Sequence, residues 1–172
     1  MQSMSRHPYR TLSVLSVLLA CALLLTGIAT ADDWPHWRGP DRTGISKETG
    51  WSPKAPKVIW REKIGVGFSS FSVAKGLLYT MGNVNDKDIV YCFDAETGKA
   101  KWKYSYPCGR MPKLYEGGPN ATPTVDGEYV YTLSKAGYIA CLKAADGRLF
   151  WSKKVKATMP KWGFSGSALV EG

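Results

Sequence analysis

The most constraining feature of the chain is a segment that occurs twice, 49 residues apart. Residues 89–102 read IVYCFDAETGKAKW, and residues 138–151 read YIACLKAADGRLFW. Four residues coincide in the two copies, as the pairs Cys92/Cys141, Ala95/Ala144, Gly98/Gly147 and Trp102/Trp151. Each copy has an apolar run, a turn ending in glycine and a basic residue, and a second run with the tryptophan, which is a β-hairpin pattern. A unit of this size at this interval predicts the blades of a β-propeller or another stacked array.

The flanking sequence extends each copy into a blade of four antiparallel strands. We expect the first blade at residues 67–106, with a turn at 75–76, a loop over 82–88 and strands at 71–73, 77–81, 89–93 and 101–106. The second is expected at residues 118–155, with strands at 121–125, 129–134, 138–143 and 149–154. Residues 163–172 match residues 67–76 at four of ten positions, and therefore predict the start of another blade.

A further strand is predicted over residues 57–64, where Trp60 precedes Trp102 by 42 residues. In closed propellers the N-terminal strand often completes the final blade, so we interpret this segment as a closing strand. The predicted fold is all-β: two to three four-stranded antiparallel blades of a 7–8-bladed propeller. Because isolated repeats cannot bury their faces alone, we expect the chain to be the N-terminal part of a longer protein.

Residues 1–31 have the pattern of an export signal. Arg6 and Arg10 precede a long apolar run, no further charge occurs before Asp32, and Ala29–Thr30–Ala31 is a small-x-small cleavage pattern. We expect a signal peptide cleaved after Ala31 and a periplasmic or secreted protein. An uncleaved anchor and a lipidated Cys21 are the alternatives, and membrane association is expected only through them.

The charge of the chain is basic but dispersed. The formal net charge is +9; without Arg6 and Arg10 the chain has 21 basic and 14 acidic residues, or +7. Only residues 153–161 form a mild basic cluster, whereas nucleic-acid surfaces concentrate their charge. We therefore predict no nucleic-acid partner.

Three cysteines remain after the leader, and the odd number leaves at least one free thiol or an intermolecular bond. Cys92 and Cys141 occupy equivalent strands of neighbouring blades, which should lie farther apart than the ~7 Å Cα limit for a disulfide. We predict that they are buried and unbridged, and leave the state of Cys108 open. The only histidines are His7 and His36, and no Cys-x-x-Cys occurs, so no metal site is predicted.

Residues 32–56 are polar and rich in glycine, proline and tryptophan, which predicts an irregular N-terminal arm. Trp34 and Trp37 are expected to pack across a sheet or a blade junction, and stacking on a ligand is the alternative. The connector over 106–119 is the natural place for variable surface chemistry.

At residues 93–102, FDAETGKAKW resembles the tryptophan-docking signature of the PQQ-like repeat family. That family includes PQQ-dependent alcohol dehydrogenases and the outer-membrane assembly lipoprotein BamB. In the second copy Lys143 replaces the signature aspartate and Asp146 replaces the threonine. The arm at 33–44 also resembles the N-termini of BamB-like exported proteins common in Planctomycetes-type bacteria. The resemblance implies that each tryptophan docks on the turn of a neighbouring blade, with structural roles for Trp60, Trp102, Trp151, Gly98 and Gly147.

The resemblance leaves the activity open. A PQQ dehydrogenase needs a base carboxylate and oxygen ligands for Ca²⁺ on the ring axis, and often a vicinal cysteine pair, which is absent here. Glu116 and Asn120 are the two residues that could line such a pocket; loop residues bonded to backbone are the alternative interpretation. We predict no catalytic residue and expect no cofactor. The favoured function is a non-catalytic exported scaffold for protein interaction or ligand binding, and the expected partner is a protein or a cell-envelope polymer. The alternatives are a PQQ- and calcium-dependent oxidoreductase with its site in other blades, and the ectodomain of a membrane sensor.

Overall fold

The strands of this protein form two four-stranded antiparallel sheets in the computed structural model, which describes residues 31–50, 54, 56–112 and 115–171. The first sheet contains, in sequence order, β1 (Ser72–Ala74), β2 (Leu77–Val84), β3 (Lys87–Asp94) and β4 (Ala100–Pro107). The second contains β5 (Thr124–Asp126), β6 (Tyr129–Leu133), β7 (Tyr138–Lys143) and β8 (Leu149–Lys154). No helix occurs among these residues. The all-β prediction and the four-stranded antiparallel blades are confirmed.

The predicted leader lies outside the described residues, except for Ala31. Within the described ranges, no helix has the length and apolar character needed to cross a membrane.

The hydrophobic core lies between the facing surfaces of the two blades. β1 contacts β5, so the first strands of the two sheets lie side by side, as the innermost strands of adjacent blades do. The buried apolar residues come from the middle strands of both sheets, and they include Tyr79, Met81, Val90, Val130, Ala140 and Leu142. Burying each of the larger side chains stabilises the fold by about 1.5–3 kcal/mol. Each blade needs the other to bury these side chains, because a single blade would expose them to water.

The prediction of a loop over residues 82–88 is wrong. β2 continues to Val84 and β3 begins at Lys87, so only Asn85 and Asp86 form the turn. Both have positive φ, at 51° and 56°, which is the geometry of a type I′ hairpin. Gly82 suggested a chain break, but it lies within the strand, where a Cβ would come 1.9 Å from the carbonyl oxygen of Ile64. Its lack of a side chain allows the preceding segment to pass against the sheet.

The segment over 57–64 forms no strand in the structure. A strand requires a paired neighbour, and the segment has none among the described residues. After this segment, the next residue that pairs with the first sheet is Val66, which forms an isolated bridge with Asn83. The closing strand therefore stays a prediction.

Both blades have an irregularity at the same place. The register between the third and fourth strands shifts after Cys92 in the first blade and after Cys141 in the second. Each cysteine pairs with the tryptophan of its own fourth strand, Trp102 or Trp151. Both cysteines and Cys108 are buried and free. Burial raises the pKa of the Cys92 thiol to about 12 and that of Cys108 to about 11.

Candidate functional site

Trp60 lies on the turn that joins β3 to β4. Its Nε1 donates a hydrogen bond to the carbonyl oxygen of Ala95 at 3.0 Å. Gly98, in the same turn, has φ +71°, and a Cβ there would come 2.6 Å from the indole ring. A larger residue would meet both the ring and an unfavourable backbone conformation, so this contact requires glycine.

Trp102 makes the same contact with the next blade. Its Nε1 donates to the carbonyl oxygen of Ala144 at 2.8 Å, and a Cβ on Gly147 would come 2.5 Å from the ring. Gly147 has φ +73°, and Trp102 is only 9% exposed, with the ring of Tyr79 5.8 Å away. The last strand of one blade is thereby fastened to a turn of the next blade.

Trp151 has different surroundings. Its ring lies 6.2 Å from that of Tyr131, and the Lys153 ammonium is 5.7 Å from its centroid. No turn glycine lies against this ring in the part of the chain that the structure describes. The structure therefore pairs Trp60 with Gly98 and Trp102 with Gly147, and it leaves the docking role of Trp151 as a prediction.

The ends of the blades opposite these turns form a second candidate region. We call it the connector face: residues 66–71, the Asn85–Asp86 turn, residues 107–112 and 115–123, the turn at 134–137 and residues 161–164. These segments meet because β2 ends, β3 begins and β4 ends on this side of the first sheet. Phe68 N donates to Pro119 O at 2.8 Å, and Phe164 N donates to Lys135 O at 2.9 Å. The face thus joins the entry segments of successive blades.

A buried polar group lies under this face. Asn83 Nδ2 donates to Asp88 Oδ1 and to the carbonyl oxygen of Cys108, each at 2.8 Å. Burial raises the pKa of Asp88, and the Asn83 hydrogen bond opposes this rise most strongly. Among the described residues, Asp88 Oδ2 and Asn83 Oδ1 have no hydrogen-bond partner. Lys135 is only 1% exposed, and its ammonium contacts the hydroxyl of Tyr115.

Three aromatic rings cross the surface above that group. We call Phe68, Tyr115 and Trp162 the aromatic row. Phe68 and Tyr115 meet edge to face with centroids 5.1 Å apart, and Tyr115 and Trp162 are 6.3 Å apart. Phe68 is 55% exposed and Trp162 is 41% exposed. The Lys161 ammonium lies 5.6 Å from the Trp162 centroid. Sequence reasoning missed this row because its members come from three connectors with no common spacing.

Glu116 and Asn120, the sequence candidates for a cofactor pocket, lie in different environments. Glu116 is exposed, whereas Asn120 is half-buried and its Oδ1 is a buried acceptor that has no hydrogen-bond partner in the part of the chain that the structure describes. One such oxygen is far short of the six to eight ligands of a calcium site. No group of three or more His, Cys, Asp or Glu residues gathers within the described ranges. Among the described residues, Glu116 and Asn120 therefore do not form a calcium site, and the expectation about a cofactor stays a prediction.

The N-terminal arm forms a third region, along the first strands of the sheets. Trp34 pairs with Val73 of β1 through two backbone hydrogen bonds of 2.7 and 2.8 Å. Pro35 O accepts from Val125 N of β5 at 2.7 Å. Trp34 therefore packs at a sheet edge, as expected from the sequence, whereas Trp37 is 61% exposed.

The sequence model of the family described as "Outer membrane protein assembly factor BamB" matches residues 89–161. These blades are similar to PQQ-like repeats. The match spans the turn of Gly98, the docked Trp102 and the whole second sheet, and it confirms the resemblance read from the signature. No curated protein matches the chain significantly.

Two solved structures are similar to this chain. A europium-containing methanol dehydrogenase is 18% identical with a TM-score of 0.52, covering 67% of this chain and 21% of that one. BamB from Moraxella catarrhalis is 20% identical with a TM-score of 0.37, covering 56% of this chain and 24% of that one. At this identity the dehydrogenase likeness shows the propeller fold alone. The chain spans less than a quarter of the length of either structure.

Proposed function

We propose that this protein is an exported, non-catalytic PQQ-like propeller that binds a protein of the cell envelope through its connector face. The observation that carries the proposal is the aromatic row. Exposed aromatic side chains in contact with one another are typical of protein-binding surfaces, where Trp and Tyr dominate the binding energy. The family description, which names outer membrane protein assembly, supports a protein partner over a polymer.

The rigidity of the face supports the same role. The row is carried by segments fixed by backbone hydrogen bonds, such as Phe68 N to Pro119 O and Phe164 N to Lys135 O. The buried Lys135 supports Tyr115 from below, with its ammonium 4.3 Å from the ring centroid. Surfaces whose side chains are already ordered lose less conformational entropy on binding.

Site-specific photo-crosslinking in cells tests the proposal. A photoreactive phenylalanine analogue at position 68 or 162 of the full-length protein should give one discrete protein adduct. The same analogue at position 150, where Phe150 is 58% exposed on the outer strand of the second blade, should give none. Trp162→Ala should weaken the adduct formed from position 68. Adducts of equal yield from all three positions, or a heterogeneous polymer adduct, would contradict the proposal.

The quinoprotein alternative has its own test. PQQ and Ca²⁺ are titrated into the full-length protein while quinone absorbance and dye-linked alcohol oxidation are followed. Under our proposal there is no turnover. Saturable quinone binding together with turnover would overturn the non-catalytic part of it, whatever the crosslinking result.

A further inference from the structure

A cavity of about 290 Å³ lies between the N-terminal arm, β5 and residues 167–170. We call it the arm pocket. One side is formed by His36, Trp37, Arg38 and Arg42 of the arm. The other side is formed by Thr124, Asp126 and residues 167–170. It shares no residue with the connector face, so the inference below is independent of the proposed function.

The walls of the arm pocket are held by bonds between distant parts of the chain. Pro35 O accepts from Val125 N at 2.7 Å, which fixes the arm to β5. Arg42 donates to Val170 O at 3.0 Å and pairs with Glu171 at 3.5 Å. Thr124 Oγ1 donates to Ala168 O at 2.7 Å, which closes the third side. Without the arm there would be no cavity at this place.

Positive charge dominates the arm side of the pocket. Arg38 and Arg42 line it, and Glu171 pairs with Arg42. Arg38 carries five N–H donors in a planar fork, of which the carbonyl oxygen of Thr43 accepts one at 3.0 Å. Partial burial and the charge of Arg42 lower the pKa of His36. Asp126, on the opposite wall, disfavours a second anionic group.

We propose that the arm pocket binds a small molecule with one carboxylate on a six-membered ring. A guanidinium fork is the side chain best suited to bidentate carboxylate binding, and Arg38 provides one. The indole of Trp37, 61% exposed at the pocket, provides a flat apolar surface against which a ring can stack. The cavity is at the lower end of the ligand-pocket range, which suits a single ring rather than a polymer.

Calorimetric titration of the full-length protein tests this site, with glucuronate and benzoate as probes. Each has a neutral partner of similar shape, methyl glucoside and benzyl alcohol. At least one acid should bind saturably, and its neutral partner at least tenfold more weakly. Binding of glucuronate alone indicates a sugar acid as the natural class, and binding of benzoate alone indicates an aromatic acid. Absence of binding by both acids up to about 10 mM would overturn the proposal, as would equal binding of the neutral partners.

Variants separate this site from the rest of the surface. Arg38→Gln should weaken acid binding at least tenfold. Arg38→Lys should weaken it less, because the charge stays and the fork is lost. Trp37→Ala should weaken binding, while Trp162→Ala, on the connector face, should leave it unchanged. Unchanged affinity in a folded Arg38→Gln variant, with its melting temperature as the check on folding, would refute the assignment.

Discussion

The two blades have the same backbone hydrogen bonds in the turn between their third and fourth strands, but the side-chain contacts around that turn differ. In the first, Gly98 N donates to Asp94 O and Asp94 N to Lys99 O, each at 2.9 Å. In the second, Gly147 N donates to Lys143 O and Lys143 N to Arg148 O, each at 2.8 Å. The positive-φ glycine and the docked indole are the same in both.

The side-chain contacts at the first position of the two turns differ. Asp94 accepts hydrogen bonds from the backbone N–H and the hydroxyl of Thr97, and pairs with Lys101 at 3.2 Å. Lys143, at the equivalent position, donates to the Tyr129 hydroxyl at 3.0 Å. The comparison indicates that the glycine and tryptophan define the motif, whereas the polar contacts around the aspartate are replaceable. The following substitutions test that order of importance.

Trp102→Ala should have the largest effect. It removes a buried ring and the hydrogen bond to Ala144 O, and truncation of a buried Trp costs about 3–5 kcal/mol in the free energy of unfolding. Chemical denaturation of the full-length protein measures this. Trp151→Ala is the matched control, and within the described contacts it loses less. Equal losses for the two tryptophans would show that inter-blade docking is not what stabilises Trp102.

Gly147→Ala should come next. The new Cβ would lie 2.5 Å from the indole of Trp102, and the residue would have φ +73°. Strain and displacement of the ring together should cost about 2–4 kcal/mol. Gly76→Ala is the control, because Gly76 has the same φ of +73° and nothing within 4 Å of a Cβ, so it should lose only about 1–2 kcal/mol. Denaturation midpoints compare the two, and equal losses would refute the steric role of the tryptophan.

Asp94→Asn should have a smaller effect that depends on pH. The hydrogen bonds from Thr97 lower the pKa of Asp94 to about 2 from its model-compound value of 3.8. The folded-state pKa lies below the unfolded one, so the contribution is present above about pH 4 and is lost as the pH falls toward 2. Wild type should therefore lose more stability between about pH 6 and pH 2.5 than Asp94→Asn does. Thr97→Val should reproduce part of the difference, and identical acid losses in wild type and Asp94→Asn would disprove it.

The reactivity of the cysteine thiols should show the smallest difference between the two blades. Burial raises the pKa values of both Cys92 and Cys141, so neither thiol should react with iodoacetamide at about pH 8 in the folded protein. Cys108, also buried with a raised pKa, should be protected as well. All three should become alkylated in denaturant. Mass spectrometry counts the modified cysteines, and early modification of Cys141 alone would show that the second blade opens more easily.

The blades could be predicted from the repeat because each hairpin is specified by residues that are close together in the sequence. Alternating apolar residues, turn glycines and the recurrent tryptophan specify each hairpin within a few residues, and the strands lie where Cys92 and Cys141 implied. The loop over residues 82–88 was wrongly predicted because of Gly82. In sequence, a glycine that ends a strand cannot be distinguished from one that lies within a strand and allows another segment to pack closely against it. The segment around Trp60 has strand propensity but no paired neighbour among the described residues, and propensity alone does not make a strand.

The candidate sites were much less predictable than the fold. The aromatic row joins Phe68, Tyr115 and Trp162 from separate connectors, and only the three-dimensional course of the chain brings them together. Lys135 is in a turn sequence that looks exposed, yet it is buried under Tyr115. The pairing of Trp34 with Val73 is also non-local, and an irregular arm has no periodicity that would indicate its partner strand.

The arm also has a consequence for the order of folding. Its backbone bonds join Trp34 to Val73 and Pro35 to Val125, so they span far more chain than any hairpin in the blades. Closing such long loops is entropically costly before the hairpins have formed, so the arm should attach after the rate-limiting barrier. Weakening its attachment should then accelerate unfolding and leave the refolding rate almost unchanged, which stopped-flow kinetics would resolve. The N-terminal arm would thus be the last segment to reach its place.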